Sequence, residues 1–418
     1  MKNKKILVIA YKFPPYPEVG SYRWSRFAKY FAKKKYKVHV VTVDWKIESY
    51  QTWEKDLKSK NIIIHKTHSN YIHNLKYKKF PKTFWGMFFN KLRNQILKVL
   101  NFIYYIDEAQ FWGYSLLPYC KKIIKKEKIK YVIATGAPFM TNYWAARLKK
   151  DLPEIRLIQD LRDEWNEFRK FPISSLKKKS LEYESFALNN CDVVVTTSEG
   201  LRELFASKIN NDNIKTRVVY NGFDKISIKP QEYLERDFSF LYAGSLSNDR
   251  DSVLYAFLDI VEENIKALAD IKIYIYSQDY IKVIKKYKSL IKTGNLIAYG
   301  LIPQKKLFEE INKSFVTLHL MPETQKYIIS IKLFEYGFFK RPILSLNTGG
   351  DTEEIMMKHN LGISKNYLRE KIGIKNTLLE YYYVWKKNPK SFINPVGLEE
   401  YSYEYLSSIY LKILDELK

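Results

Sequence analysis

Cysteine is nearly absent from this sequence: Cys120 and Cys191 stand far apart and in no metal-ligand spacing, which argues against a disulfide framework and a zinc site. Long apolar runs are absent too. No stretch approaches the roughly eighteen uninterrupted apolar residues of a membrane-crossing helix, so no transmembrane segment is expected. After Lys-Asn-Lys-Lys, only Ile6 to Ala10 is apolar before the Lys12 to Pro17 turn, too short for a secretory signal. The expected location is the cytoplasm. Acidic residues are few beside basic ones, 45 against 71, which leaves a formal charge of +26 and a pI near 9.5. A surplus this large suggests an extended anionic surface nearby, nucleic acid or membrane, with compositional drift in a Lys-, Ile-, Asn- and Tyr-rich chain as the plainer reading. No helix-turn-helix, RNA-recognition or zinc-finger signature is present, and the basic residues are spread along the chain. No nucleic-acid partner is expected.

What is present reads as two α/β halves. A chain of 418 residues with 46% hydrophobic content exceeds one ordinary core and can fill two. Lys5 to Ala10, Lys37 to Thr42, Asn61 to His65, Tyr131 to Thr135, Arg156 to Asp160, Val193 to Thr197 and Val218 to Tyr220 are strand-like runs, mostly separated by helical patterns. Ser21 to Lys34 is the first helix, with Tyr22, Phe27, Tyr30 and Phe31 available for one face. A second series runs through Phe238 to Ala243, Ile271 to Tyr276, Leu296 to Tyr299, Val316 to Leu320 and Ile343 to Leu346. Near-continuous apolar strands alternating with helices predict two doubly wound parallel sheets, facing a central cleft that receives the ligands. The linker is expected at Gly222 to Arg236. The domains are set at 1–225, 226–395 and a returning C-terminal helix at 396–418.

Lys332 and Glu335 share one face of a helix, while Leu333 and Phe334 turn inward. Two readings are open: a surface ion pair, or an ammonium for phosphate beside a carboxylate for ribose hydroxyls. Gly20 either relieves the backbone between strand and helix or lets it approach a sugar or phosphate. Gly349, Gly350 and Asp351 form a further loop.

The run Ser330 to Gly337, followed by Lys340-Arg341-Pro342-Ile343-Leu344, resembles the S/T-K-L-F-E-Y…P-I-L signature of glycosyltransferase family 4. Pro14, Pro15, Gly20 and Arg23 resemble that family's P-P-x-x-G-G-x-x-R loop, and Asp160 to Trp165 its D-x-R-D-x-W motif. Thr197-Ser198-Glu199, Tyr220 to Asp224, Tyr242 to Leu246 with Arg250, and Tyr299-Gly300 with Ile302-Pro303 follow in family order. The resemblance implies an α/β protein of the GT-B fold, with two Rossmann-like domains. It implies transfer of a sugar from a nucleotide-sugar donor to a glycan acceptor, lipid-linked in many members, with retention of configuration, in capsule or O-antigen assembly. An acceptor-binding N-terminal domain and a donor-binding C-terminal domain follow. The implied donor site is Gly244, Ser245, Arg250, Tyr299, Ser330, Lys332 and Glu335, where Glu335 binds ribose and Lys332 or Arg250 the diphosphate. Asp160 or Asp163 would orient or deprotonate the acceptor hydroxyl, beside an acceptor-side loop of Gly20, Arg23 and Arg162. An ion pair of Asp160 with Arg162 is the structural alternative, and Trp165 reads as core. No cofactor and no metal are expected: there is no D-x-D motif, and the family uses basic side chains and helix N-termini.

Two departures stand out. Members often carry a glutamate eight positions before the one matched by Glu335, but Tyr327 is there, with Glu323 four residues earlier. None of the six histidines (His39, His65, His68, His73, His319, His359) follows the mid-domain strand where many members have one. The donor sugar is left open, and so is a catalytically silent protein that only binds a glycan or a partner. From Tyr71 to Phe111, Lys76, Lys78, Lys79, Lys82, Lys91, Arg93 and Lys98 interleave with Phe80, Phe84, Trp85, Phe88, Phe89, Phe102 and Tyr104. This segment reads as an interfacial contact with anionic lipid at the inner face of the cell membrane, or as a core helix with a solvated lysine face. A soluble acceptor is the alternative to a membrane-bound one.

Overall fold

The computed structural model describes residues 4–16, 19–45, 52–69, 71, 80–81, 83–104, 106–224, 228–231, 237–388 and 398–417. The chain divides into two compact units, residues 1–220 with 403–418, and residues 221–402.

In the first unit, β1 (Lys5–Ala10), β2 (Lys37–Val43), β3 (Ile62–Thr67), β4 (Tyr131–Gly136), β5 (Arg156–Leu161), β6 (Val193–Thr196) and β7 (Lys215–Val218) form one sheet ordered β3-β2-β1-β4-β5-β6-β7. Every pairing is parallel. The central strands are buried almost throughout, as near-continuous Val, Ile and Leu runs require once helices cover both faces. Four helices of this unit are α1 (Val19–Lys33), α2 (Phe84–Ile103), α3 (Gly113–Glu127) and α4 (Met140–Asp151).

One expected strand is misplaced. The apolar run Val218 to Tyr220 reads as β7, yet β7 ends at Val218. Val219 still donates its N–H to Thr196, but the carbonyls of Val219 and Tyr220 accept from the Arg23 guanidinium at 2.8 and 2.7 Å, which takes the chain out of the sheet.

In the second unit, β8 (Ser239–Ala243), β9 (Lys272–Tyr276), β10 (Leu296–Tyr299), β11 (Val316–Leu320), β12 (Ile343–Asn347) and β13 (Gly362–Asn366) are ordered β10-β9-β8-β11-β12-β13, again all parallel. β13 was not expected. Its sequence, GISKN, has no apolar run, because an edge strand buries little, and each of its residues is half-buried. Helices α5 (Arg250–Glu263) and α6 (Ile331–Phe338) follow β8 and β11. After this unit the chain rejoins the first through α7 (Tyr403–Glu416), which packs Tyr403 and Tyr410 against Phe27 of α1 at ring-centroid distances of 5.4 and 5.0 Å. No helix among the described residues is long and apolar enough to cross a membrane.

Candidate functional site

In the second unit, Ser330 caps α6, its hydroxyl accepting the Lys332 N–H at 3.3 Å. Leu333, Phe334, Tyr336 and Gly337 bury the inner face of the helix, so Lys332 and Glu335 come to lie on its partly exposed side. Gly244 follows the last residue of β8, beside Lys332. A methyl group there would stand 3.2 Å from Lys332 Cε and 2.9 Å from Tyr242 Oη, so glycine is what lets the lysine lie against the strand end. The loop beyond is held by Tyr242 Oη donating to the Ser245 carbonyl at 2.7 Å, and by Ser247 N–H donating to Ser245 Oγ at 3.1 Å. Arg250 then opens α5.

Lys332 and Glu335 do not spend their charges on each other. Burial pushes the Lys332 ammonium down in pKa and Arg250 adds to the effect, while Glu335 opposes it. Burial pushes Glu335 up, against the pull of Lys332. Neither charged head makes a hydrogen bond or ion pair with any described residue, so the ion pair their spacing allows does not form. A cation and a carboxylate, both partly desolvated and both unpaired, suit a ligand bearing an anion and hydroxyls side by side.

His319 belongs here as well, and the sequence reading passed it over. It sits one residue before the end of β11, 2% exposed, its pKa pushed down to about 3 by burial, with Arg250 and Lys332 adding to the effect. The signal available was a titratable side chain inside a buried strand, Val316–Leu320.

Other expected donor-site residues lie apart. Tyr299 is at the edge strand β10, 48% exposed and stacked on Tyr276 with ring centroids 5.6 Å apart. Glu323 is exposed at the head of a short turn, Glu323–Gln325, and Tyr327 lies partly buried beside the Lys326 ammonium. Gly349 and Gly350 have φ of 95° and 88°, and Gly349 N–H donates to Asn347 Oδ1, so turn geometry accounts for both.

In the first unit, Asp160 is wholly buried at the end of β5, and its two oxygens accept four hydrogen bonds. Arg23 and Tyr410 donate to Oδ1 at 3.0 and 2.8 Å; Trp24 and Thr135 donate to Oδ2, each at 2.9 Å. Burial alone would raise its pKa, but Arg23, Arg162 and the Trp24 hydrogen bond together outweigh burial and hold the carboxylate down. The structural ion pair weighed from the sequence exists, with Arg23 rather than Arg162 as partner.

Gly20 and Arg23 are not loop residues: both lie in α1, and Arg23 is fully buried over the Phe27 ring. Arg162 lies just beyond β5 and donates to the carbonyls of Gly136 and Ala137 at 2.7 and 3.2 Å. A methyl at position 20 would stand 2.9 Å from the Arg162 guanidinium, so Gly20 makes room for that side chain. Asp163 is partly buried and makes no hydrogen bond or ion pair with a described residue, unlike Asp160. Trp165 is core, stacked on Phe139 at 5.0 Å.

α2 carries an uncovered apolar stripe. Trp85, Phe88, Leu92, Ile96, Val99 and Ile103 recur at helical spacing and are 38–67% exposed, with Phe84 at 75% beside them. This is not a core helix. Lys76, Lys78, Lys79 and Lys82 lie outside the described residues.

Residues 22–225 match the family model described as Glycosyltransferase Family 4. No curated protein sequence matches the chain. Among solved structures, the lipopolysaccharide outer core galactosyltransferase WaaB in its apo form has a TM-score of 0.61 at 14% identity, with 99% of this chain and 100% of that one covered. Sucrose-phosphate synthase from Thermosynechococcus elongatus has a TM-score of 0.63 at 10% identity over 99% of each chain. A glycosyltransferase from Rickettsia africae has 0.59 at 15% identity, with 100% of this chain and 99% of that one covered. At such identities the structural likenesses speak for the fold, and the sequence match speaks for residues 22–225. Residues 22–225 accordingly match a glycosyltransferase family 4 domain, and the chain as a whole has the GT-B fold.

Proposed function

We propose that this glycosyltransferase moves a sugar, with retention of configuration, from a nucleotide-sugar bound in residues 221–402 to a lipid-linked glycan in surface-polysaccharide assembly. The observation that carries the donor part is the unpaired Lys332 and Glu335 at the head of α6, against Gly244. Lys332 and Arg250 meet the negative charge that gathers on the departing diphosphate, and Glu335 accepts from the ribose hydroxyls. Asp163, uncommitted where Asp160 is saturated, is the group to orient or deprotonate the acceptor hydroxyl. Glu335→Ala is expected to weaken nucleotide binding by about 2 kcal/mol, the scale of lost charged hydrogen bonds, measured by calorimetry with UDP, GDP and ADP. Full affinity in that variant, or activity abolished by chelator, counts against this assignment. Tyr327 at the place of the family's first glutamate keeps a silent binding protein in view. Release of nucleoside diphosphate from any sugar donor separates the enzyme from it.

The lipid-linked acceptor is supported by α2, whose exposed stripe is about 30 Å long at 1.5 Å per residue, and by the charge of +26. It is also in keeping with the lipopolysaccharide-directed activity in the name of WaaB. The helix lies in the plane of an anionic cytoplasmic-face leaflet, with Lys91 and Lys98 beside the stripe. Binding to anionic vesicles is expected to fall with added salt without vanishing, since apolar insertion is not screened. Replacing Trp85, Phe88 and Leu92 by Ser removes that salt-resistant remainder in a sedimentation assay. Retention of the remainder in the triple variant is the outcome that sinks membrane docking by α2.

A further inference from the structure

His319 pairs in register with Ser345 of β12, and its Nδ1 lies 3.0 Å from the serine hydroxyl. The network behind that hydroxyl fixes the tautomer. Gly349 N–H donates to Asn347 Oδ1 at 2.8 Å, which turns Asn347 Nδ2 to donate to Ser345 Oγ at 2.9 Å and Ser364 Oγ at 2.8 Å. Ser345 Oγ accepts from Asn347, and His319 Nδ1 is the one acceptor its own proton meets among the described residues, so the satisfied network has Ser345 donating to Nδ1 and the neutral imidazole carrying its proton on Nε2.

That Nε2 is buried and has no hydrogen-bond partner among the described residues. A buried N–H without an acceptor costs stability, and its commonest remedy is a ligand or a bound water. Its location follows from sheet register. β11 pairs with β8 through Val316 with Phe240 and Thr317 with Leu241, so His319 stands level with Ala243, next to the Gly244 against which Lys332 lies. Burial beside two cations keeps the imidazole uncharged, so it can donate without adding a third positive charge.

We propose that His319 is a further donor-site residue, its Nε2–H donating to an oxygen of the diphosphate held by Lys332 and Arg250. The inference rests on the donor-site reading above. A glutamine at 319 places its amide nitrogen near the position of Nε2, whereas an asparagine can satisfy Ser345 but cannot reach the ligand. His319→Asn is therefore expected to weaken binding of inorganic pyrophosphate, and of the tightest binder among UDP, GDP and ADP, roughly tenfold or more, with His319→Gln restoring most of it.

A purely structural role gives the opposite order, with Asn tolerated and Gln not, and overturns the proposal. Unchanged affinity in His319→Asn while Lys332→Ala weakens binding overturns it and leaves the donor site standing. Failure of the unmodified protein to bind any of these probes removes both. Should the variants not fold, the Nε2 resonance of the 15N-histidine-labelled native protein decides: it shifts on adding pyrophosphate if His319 touches the ligand, and an unmoved resonance rejects the contact.

Discussion

Lys332→Ala is expected to lower kcat by about two to three orders of magnitude at saturating nucleotide-sugar, the usual loss when one preorganised electrostatic partner of a developing charge is removed. The loss in kcat should exceed the loss in ground-state affinity, because the diphosphate gains charge as the glycosidic bond breaks. A pH signature accompanies it. Burial depresses the Lys332 pKa in the free protein, whereas a bound diphosphate raises it, so binding takes up a proton in the pH window between the two. Affinity is therefore full below the lowered pKa of the free site and declines as pH rises through the raised pKa of the complex. Calorimetry in two buffers of different ionisation enthalpy reads the uptake directly. A variant with unaltered kcat, or with a parallel fall in kcat and affinity, would place Lys332 in uniform binding or outside the site.

Asp160 and Asp163 are expected to part company completely. Asp160→Ala leaves Arg23 buried with no carboxylate, and breaking a buried pair from one side costs about 3–5 kcal/mol. At roughly 2–4 °C per kcal/mol for a unit of this size, the melting temperature should fall by about 6–20 °C. The sign with pH follows from the depressed pKa of Asp160: its contribution is present above the carboxylate pKa of the unfolded chain and is lost as pH falls through the lower folded value. Asp163→Asn should leave the melting temperature nearly unchanged and depress turnover by about 10²–10⁴, the range for a positioned acid or base. Melting curves and kcat for both variants settle the roles. The reverse pattern, a stable Asp160→Ala and an unfolded Asp163→Asn, would exchange them.

Much of the fold was legible because parallel strands buried on both faces must be continuous apolar runs; β1, β10 and β11 read from the sequence with their observed ends. β13 was invisible for the same reason reversed, since an edge strand needs no such run. Spacing placed Lys332 and Glu335 on one helical face, but periodicity does not report whether two neighbouring charges meet, and the unpaired state depends on how α6 packs against β8. Arg23 misled because sequence order set it in a loop motif, whereas its partners, Asp160 and the carbonyls of Val219 and Tyr220, come from distant segments. His319 was missed because its meaning lies in a register partner, Ser345, and in a strand level, both properties of the sheet.

The last helix sets an order of events. Tyr410 reaches Asp160 across 250 positions of sequence, so the carboxylate at the centre of the first unit waits for a hydroxyl made only after residues 221–402. Residues 221–402, by contrast, form a contiguous unit that can fold as soon as it leaves the ribosome. Synthesis therefore runs opposite to completion. The unit begun first is finished last, and until α7 arrives its nascent chain must shelter Phe27 and the Arg23–Asp160 pair without the aromatic cover of Tyr403 and Tyr410. Chaperone dependence during expression should accordingly concentrate on the N-terminal half.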